Sequence, residues 1–279
     1  MIHDLNKRLA VCSWSLRPET CDDLIARTRE CGISAVQLHL DPIAERLPGW
    51  TDAPQRLAAA GIRVTSGMVM CVGEDYSSIA RIEETGGVVP DATWPETKAR
   101  MEACAPVAAE LGLPLVTFHA GFIPDDDGHP VRAKVRERID ELAHLFARHR
   151  IGLGLETGQE ASGTLLGFLS ELRGGNVGVN FDPANMLLYG SGDPIEALRR
   201  LSPYVRQVHL KDAVPSATRG EWGREVPIGD GEVDWPAFFR ILDDTGYAGP
   251  LPIEREAGDD RITDIRRGVE HLRASGFVK

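Results

Sequence analysis

Four short segments each place a side chain that can bind a metal at the end of an apolar run typical of a β-strand. These side chains are Glu156, Asp182, His209 and Glu254. Three carboxylates and one imidazole form a mixed oxygen and nitrogen ligand set, which suits Mn²⁺, Mg²⁺ or Co²⁺ better than an ion that prefers thiolates. The residues therefore predict an enzyme that uses one divalent metal ion, with Mn²⁺ favoured and Zn²⁺ also compatible.

Eight apolar runs predict the strands that must position these ligands. They cover residues 8–16, 35–40, 63–70, 114–120, 152–157, 177–183, 205–211 and 249–255. Each run is followed by a longer segment with helical periodicity. Eight such alternations predict a (β/α)8 TIM barrel of the α/β class, whose active site lies at the C-terminal ends of the strands. All four candidate ligands fall at those ends.

Helix signals and the first connection agree with a barrel. Thr20 stands where an N-cap is expected before a helix at 21–31, and another helix is predicted at 95–111. An open, doubly wound sheet is the competing fold, but residues 13–18 lack the Gly-x-Gly-x-x-Gly turn that it often carries. We therefore expect one TIM-barrel domain over residues 1–279.

Two connections are longer than the usual 2–6 residues of an α/β unit. Residues 71–94 follow the third predicted strand, and residues 212–234 follow the seventh. Both contain several glycines and lie on the expected catalytic face. They are predicted to act as lids or substrate walls.

Composition excludes several classes of partner. A net charge of −11 leaves no basic surface for nucleic acid. No apolar run approaches the ~20 residues that a membrane-spanning helix needs. The five cysteines form no C-x-x-C pair, so we expect reduced, buried thiols. The sequence predicts a cytoplasmic protein that binds neither nucleic acid nor membrane; barrels often pair through their loops, which leaves a homo-oligomer open.

The ligands and their flanking residues resemble the xylose-isomerase-like TIM-barrel superfamily of sugar and sugar-phosphate isomerases and epimerases. The resemblance covers almost the whole chain. The matching motifs are Asp182-Pro183-Ala184-Asn185, His209-Leu210-Lys211-Asp212, Gly229-Asp230-Gly231-Glu232-Val233-Asp234-Trp235 and Ile253-Glu254-Arg255-Glu256. In that superfamily a Glu, Asp, His and Glu on strands five to eight bind the metal, and the four candidate ligands match this set in order.

The resemblance implies a reaction as well as a ligand set. In ketose epimerases of the superfamily, the metal holds two adjacent substrate oxygens and stabilises the enediolate left when the α-proton is removed. Glu156 and Glu254 would then transfer protons on opposite sides of the substrate. Glu254 is preferred to Glu256, which shares its strand face, because it lies deeper. This implies an epimerase or isomerase of a small keto-sugar or related carbohydrate.

A dehydratase is the alternative, because the same enediolate leads to loss of water if a β-hydroxyl group leaves. Its substrate would be an inosose or a compound like dehydroshikimate. The four metal ligands do not distinguish these outcomes. A barrel that binds a sugar without catalysis is disfavoured, because loss of catalysis usually costs a ligand.

Four further residues are expected to bind substrate. His119 ends the fourth strand and could contact a hydroxyl group or a carbonyl oxygen. Lys211 could polarise a carbonyl or pair with Asp212, and the indole of Trp14 could pack on the apolar face of a sugar. Asn185 stands where several ketose epimerases have a histidine, which changes that substrate contact.

The DNA-repair endonucleases of the superfamily use several zinc ions and extra histidines. Asn185 replaces one of these histidines, and neither Gly67-Met68 nor Gly223-Arg224-Glu225 supplies another. With the acidic charge balance, this argues against a nuclease.

The charge pattern bears on whether the substrate is phosphorylated. Asp259-Asp260 opens the last helix and would repel a phosphate dianion. Arg219 and Arg224, in the connection after the seventh strand, argue the other way. The balance favours an unphosphorylated keto-sugar or cyclitol.

Overall fold

Eight parallel strands form one sheet that closes on itself. This computed structural model describes residues 5–275, with side chains from residue 7 onward; residues 1–4 and 276–279 of the domain expected over 1–279 lie outside the described residues. The sheet order is β8-β1-β2-β3-β4-β5-β6-β7. The strands are β1 (Leu9–Cys12), β2 (Ala35–His39), β3 (Arg63–Met68), β4 (Leu115–Phe118), β5 (Gly152–Glu156), β6 (Val177–Phe181), β7 (Val205–Val208) and β8 (Leu251–Ile253).

Leu210 completes the closure between β7 and β8. Its N–H donates to the Pro252 carbonyl at 2.8 Å, and its carbonyl accepts from the Glu254 N–H at 3.1 Å. With helices in the connections between the strands, this is a TIM barrel. The predicted fold is confirmed.

Helices lie between the strands, and several begin at residues that the sequence marks. Thr20 forms a capping box with Asp23 at the start of Cys21–Glu30, so that two otherwise unpaired backbone N–H groups have partners. The α-helices are Leu5–Arg8, Cys21–Glu30, Asp41–Ala44, Ala53–Ala59, Ile79–Thr85, Trp94–Glu110, Pro130–Ala147, Ser162–Glu171, Pro183–Tyr189, Pro194–Leu201, Trp235–Asp244 and Arg261–Ala274. Short 3-10 helices cover Ser13–Leu16 and Ser202–Tyr204.

The first strand is shorter than the run predicted at residues 8–16. It ends at Cys12, because Ser13–Leu16 turn into a 3-10 helix that stops at Arg17 in the left-handed region, with φ 47°. The apolar run therefore continues past the strand. This places Trp14 on the turn above the strand rather than within it.

Both long connections contain regular structure. Residues 71–94 include the helix Ile79–Thr85, which Ser78 caps by accepting a hydrogen bond from the Arg81 N–H. Residues 212–234 contain an antiparallel hairpin of Asp212–Val214 and Arg224–Val226. The hairpin strands are only three residues long, too short for hydrophobic alternation to reveal.

Two kinds of buried residue occupy the interior. Apolar side chains such as Phe118, Phe181 and Phe238 pack in the main core. A second, polar set lies fully buried on the barrel strands: Gln37, Ser66, Thr117, Asn180 and Gln207. Buried polar groups cost free energy unless they are hydrogen-bonded, so these residues require one another as partners. Their network lies beneath the candidate ligands.

The five cysteines are free and buried, as expected. Within residues 5–275, no helix is both long and apolar enough to cross a lipid bilayer. Burial raises the pKa of Cys12 and of Cys31 to about 12, so both thiols stay protonated at neutral pH.

Candidate metal and substrate site

The four candidate ligands meet at the C-terminal end of the barrel. Glu156 is the last residue of β5, and Asp182 directly follows β6. His209 and Glu254 directly follow β7 and β8. All four side chains are buried, and one potential ligand atom from each lies within 4.8 Å of all the others. The barrel thus brings together residues from four separate strands.

The imidazole Nδ1 of His209 faces all three carboxylates. It lies 3.4 Å from Glu156 Oε1, 3.6 Å from Asp182 Oδ2 and 3.4 Å from Glu254 Oε2. Two ligand atoms each ~2.1 Å from a shared ion would lie ~3.0–3.4 Å apart, so the cluster needs little adjustment to bind one. His209 Nδ1 and Asp182 Oδ2 are buried and have no hydrogen-bond partner. These two unpartnered atoms fit a divalent metal as the missing partner.

The helix that follows β6 fixes the orientation of Asp182. Its Oδ1 accepts from the N–H groups of Ala184 (2.8 Å) and Asn185 (3.0 Å), which makes it the N-cap of Pro183–Tyr189. Such a cap satisfies backbone donors that the helix cannot pair internally. Because Oδ1 is used in this way, Oδ2 is left to face the cluster.

The cluster concentrates negative charge. Burial alone would favour a neutral imidazole, but Glu156 and Glu254 outweigh it and raise the pKa of His209 well above its usual value. Burial acts in the opposite direction on a carboxyl group and raises the pKa of Asp182 to about 6. The three carboxylates lie close together in a buried site. They create a negative electrostatic potential that a bound divalent cation would neutralise.

Neutral amides hold Glu156. Its Oε2 accepts from Asn180 Nδ2 and its Oε1 from Asn185 Nδ2, both at 3.0 Å. His119 Nε2 lies 3.8 Å from Oε1. Burial lowers the pKa of His119, but the carboxylates, with Glu156 first and Glu74 next, raise it further, so the net shift is upward. His119 is thus a cation-capable group beside this glutamate.

A cation and an indole hold Glu254. Lys211 Nζ donates to Glu254 Oε2 at 2.9 Å, and Trp14 Nε1 donates to Oε1 at 2.6 Å. Burial opposes ionisation, yet Lys211 and His209 hold the pKa of Glu254 well below its usual range. The indole of Trp14, expected to pack on a sugar, therefore also orients a carboxylate. Glu256, the rejected alternative ligand, has a half-exposed side chain and binds Lys211 Nζ at 2.8 Å.

Lys211 and Asp212 do not pair with each other, although the sequence offered that possibility. Lys211 binds Glu254, Glu256 and the Asn185 side-chain oxygen. Asn185 thereby links the Glu156 side of the cluster to the Glu254 side.

Asp212 organises the connection after β7. It accepts from four N–H groups at 2.9–3.2 Å, those of Ala213, Gly229, Val233 and the Trp235 indole. The close approach requires Gly231, where a Cβ atom would lie 2.0 Å from Asp212 Oδ1. The motif that begins at Gly229 therefore serves to wrap a loop around one buried carboxylate.

A cavity of about 400 Å³ opens above the cluster. Its volume lies in the range of small-molecule sites. Trp14, His119, Asn185 and Lys211, the four predicted substrate-binding residues, all line it together with Glu156 and Glu254. Both long connections contribute to its wall, as expected for them.

Sequence reasoning missed several residues of this wall. They are Glu74, Tyr189, Glu225 and Arg261. Burial raises the pKa of Glu74, whose Oε1 accepts from the Gly87 N–H at 3.0 Å. Glu225 Oε1 accepts from the Arg255 guanidinium and from the Glu256 N–H, which joins the hairpin to the segment after β8. Loop residues carry no periodic signal, and only their position on the catalytic face could have pointed to them.

Comparison with known proteins assigns the family. The model of the xylose isomerase-like TIM barrel family matches residues 25–275. The chain belongs to this family. Among solved structures of similar proteins, a xylose isomerase domain protein from Planctomyces limnophilus is 35% identical, with a TM-score of 0.83 over 91% of each chain.

Curated relatives of the family carry two kinds of activity. L-ribulose-5-phosphate 3-epimerase UlaE from Escherichia coli is 23% identical over 87% of this chain and 85% of its own length. Inosose dehydratase from Clostridium botulinum is 30% identical over 129 residues, which are 42% of this chain and 42% of that protein. The chain thus spans less than half the length of that dehydratase. These relatives are a sugar-phosphate epimerase and a dehydratase.

Proposed function

We propose that this protein is a divalent-metal-dependent epimerase or isomerase of a small keto-sugar or related carbohydrate. The observation that carries the proposal is the buried cluster in which His209 Nδ1 faces three carboxylates and has no hydrogen-bond partner. The cavity above this cluster has a volume suited to a monosaccharide or cyclitol, and its largely apolar wall carries several polar side chains that could contact hydroxyl groups.

The metal would be held by Glu156, Asp182, His209 and Glu254, with Mn²⁺ as our first choice because oxygen ligands predominate. When bound, it would act as a Lewis acid toward a substrate carbonyl and hydroxyl. Asn180, Asn185, Trp14 and Lys211 orient the two glutamates through the hydrogen bonds described above. Their role is to keep each carboxylate in one position before substrate arrives.

Proton transfer falls to Glu156 and Glu254. They enter the cluster from β5 and β8, so they reach the cavity from different strands. One removes the proton next to the carbonyl, and the other returns a proton to the opposite face of the same carbon. That sequence inverts one stereocentre. His119 and Lys211 line the cavity beside these two glutamates and are placed to hydrogen-bond substrate oxygens.

The charges of the cavity favour an unphosphorylated substrate. Among the described lining residues, carboxylates outnumber the permanent cations. The carboxylates are Glu74, Glu156, Glu225, Glu254 and Glu256, and the cations are Lys211 and Arg261. Neither Arg219 nor Arg224 is among the residues that line the cavity. Even with a divalent ion bound at the cluster, the carboxylate charges exceed the cationic charges, so a phosphate dianion would meet net repulsion, whereas a neutral polyol would not.

A dehydratase of an inosose or a dehydroshikimate-like compound is the second candidate. It is supported by the similarity to inosose dehydratase and by one feature of the site. His119 Nε2 lies 3.8 Å from Glu156, on the wall of the cavity, where a protonated imidazole could assist a leaving hydroxyl group. Removal of a proton by a glutamate would be common to both reactions.

Product analysis separates the two functions. Mn²⁺-loaded enzyme is incubated with a panel of ketoses, ketose phosphates and inososes, and the products are identified by NMR. We expect an epimer or an isomer of an unphosphorylated member. An unsaturated or dehydrated product would establish the dehydratase instead. Turnover of phosphorylated sugars alone would contradict the substrate class.

A further inference from the structure

The ring of His209 has two nitrogens, and the structure distinguishes them. Nδ1 faces the three carboxylates, whereas Nε2 lies 2.7 Å from the Oε1 atom of Gln37 on β2. Gln37 is fully buried and is absent from the residues that line the cavity. It therefore touches the cluster only from below, through His209.

Neighbouring groups fix which end of the Gln37 amide faces the ring. Its Nε2 donates to the Thr117 hydroxyl oxygen at 2.8 Å, and the Cys12 thiol lies 3.5 Å from its oxygen. An amide oxygen only accepts hydrogen bonds, so the nitrogen 2.7 Å away must carry the proton. Asn180 Nδ2 also lies 3.1 Å from that nitrogen and donates one of its two protons to Glu156 Oε2 at 3.0 Å, but the shorter contact of His209 Nε2 is the one to Gln37 Oε1, which can only accept.

We propose that Gln37 is a positioning residue that sets the tautomer of His209. By accepting a hydrogen bond from Nε2–H, it leaves the lone pair on Nδ1, the nitrogen that faces the carboxylates. The inference rests on the proposed function, because it assigns Gln37 a role in metal binding. Partners of this kind orient the ring and typically change metal affinity 10–100-fold when removed.

Three features suit Gln37 to this role. Its amide is neutral, so it adds no charge beneath a cluster that already holds three carboxylates. Its second hydrogen bond, to Thr117 of the adjacent β4, keeps the amide from rotating. Finally, its side chain is fully buried, so water does not compete for the hydrogen bond to His209.

Metal affinity is the first test. Isothermal titration calorimetry with Mn²⁺ compares the wild type with Gln37→Met, Gln37→Glu and Cys12→Ala. Met is similar in size to Gln but cannot take its place as acceptor, so we expect Mn²⁺ affinity to fall about 10–100-fold. Gln37→Glu keeps an acceptor and should bind Mn²⁺ no more weakly than the wild type. Cys12→Ala, the matched control beside the same ring, should remain within threefold.

The tautomer itself is read by NMR on Mg²⁺-loaded protein with ¹⁵N-labelled histidine, because Mg²⁺ is diamagnetic. The wild type should show an Nε2–H signal protected from solvent exchange, assigned by its absence in His209→Gln. Gln37→Met should lose that protected signal, while Cys12→Ala keeps it. A merely structural role for Gln37 would lower thermal stability without moving this signal.

The outcomes distinguish the inference from the function on which it rests. If the wild type binds neither Mn²⁺ nor Mg²⁺, the proposed function fails together with the inference. If the wild type binds metal and Gln37→Met binds it equally well, only the inference is overturned. Thr117→Val provides a second test if Gln37→Met does not fold, because it frees the Gln37 amide to rotate. It should weaken Mn²⁺ binding several-fold, and unchanged binding would overturn the inference.

Discussion

The Glu156 side and the Glu254 side of the cluster differ in what holds the carboxylate. Asn180 and Asn185 orient Glu156 through neutral hydrogen bonds, whereas Lys211 and Trp14 hold Glu254. A neutral amide fixes the position of a carboxylate, while an ammonium group also stabilises its charge. Two candidate ligands that look equivalent in sequence therefore have unequal proton affinities, and the proposed mechanism predicts unequal roles for them in proton transfer.

The walls behind the two glutamates differ as well. On the Glu254 side, Glu225 of the hairpin binds Arg255, which in turn binds Asp264 of the last helix. On the Glu156 side, Tyr76 is 45% exposed and its ring lies in a T-shaped arrangement with that of His119, with ring centroids 6.1 Å apart. One side is tied together by ion pairs, whereas the other side carries a partly exposed aromatic side chain.

Removal of the charge on Glu254 should produce the largest effect. Glu254→Gln removes a proton-transfer group, so we expect kcat to fall about 10³-fold, within the range typical of general acid–base catalysis. The comparison is Glu256→Gln, which changes the half-exposed neighbour on the same lysine and should cost less than tenfold. Steady-state kinetics with Mn²⁺ measure both. Full activity in Glu254→Gln would contradict the two-glutamate mechanism.

Removal of the Lys211 charge should lower both the stability of the protein and its turnover, because Glu254 depends on this cation. Lys211→Met leaves Glu254 and Glu256 without their shared cation, and we expect the free energy of unfolding to fall by about 3–5 kcal/mol. Turnover should fall about 10²-fold, because Glu254 loses its orienting donor. Lys98→Met is the matched control, since Lys98 pairs with Glu141 at the surface and should cost at most ~1 kcal/mol. Equal losses of stability in urea unfolding of the two variants would contradict the asymmetry.

His119 tests the Glu156 side and sharpens the choice of reaction. For an epimerase, His119→Gln removes only a substrate contact and should lower kcat/KM about tenfold. For a dehydratase that uses His119 as the acid for the leaving hydroxyl group, the loss should reach ~10²-fold or more. His144→Gln, on the exposed surface of a helix, should leave kcat/KM unchanged. An unchanged kcat/KM in His119→Gln would remove this residue from both mechanisms.

Substitution of Asp212 should have the smallest effect on kcat. Asp212→Asn replaces an acceptor of four N–H groups with an amide that must turn its own N–H groups toward some of them. We expect a loss of about 1–3 kcal/mol in stability and a higher KM with nearly constant kcat, because the loop that bears the hairpin loosens. Asp230→Asn, an exposed change in the same loop, is the control. A fall in kcat with constant KM would show that Asp212 acts on the chemistry itself.

The barrel and the meeting of the four candidate ligands follow from sequence for a simple reason. Hydrophobic runs reveal strands, and parallel strands in a barrel bring their C-terminal ends to one face. Glu156, Asp182, His209 and Glu254 therefore had to lie near one another once eight strands were recognised. No further knowledge of contacts was needed.

Pairing across strands was not predictable in the same way. Lys211 adjoins Asp212 in sequence, yet it binds Glu254 and Glu256, because successive side chains of an extended segment point to opposite faces. The position of Gln37 offered one signal, since a polar residue within a buried, apolar strand requires a partner. Which partner it finds depends on barrel closure, and sequence pattern does not contain that information.

Solvent deuterium exchange tests the central claim most directly. Mn²⁺-loaded enzyme and an EDTA-treated control are incubated in D₂O with the panel of ketoses, ketose phosphates and inososes, and NMR follows each carbon-bound proton. The account predicts deuterium at one carbon next to a carbonyl, in the Mn²⁺-loaded sample only. Exchange that persists after metal removal, or no exchange on any compound of the panel, would contradict it.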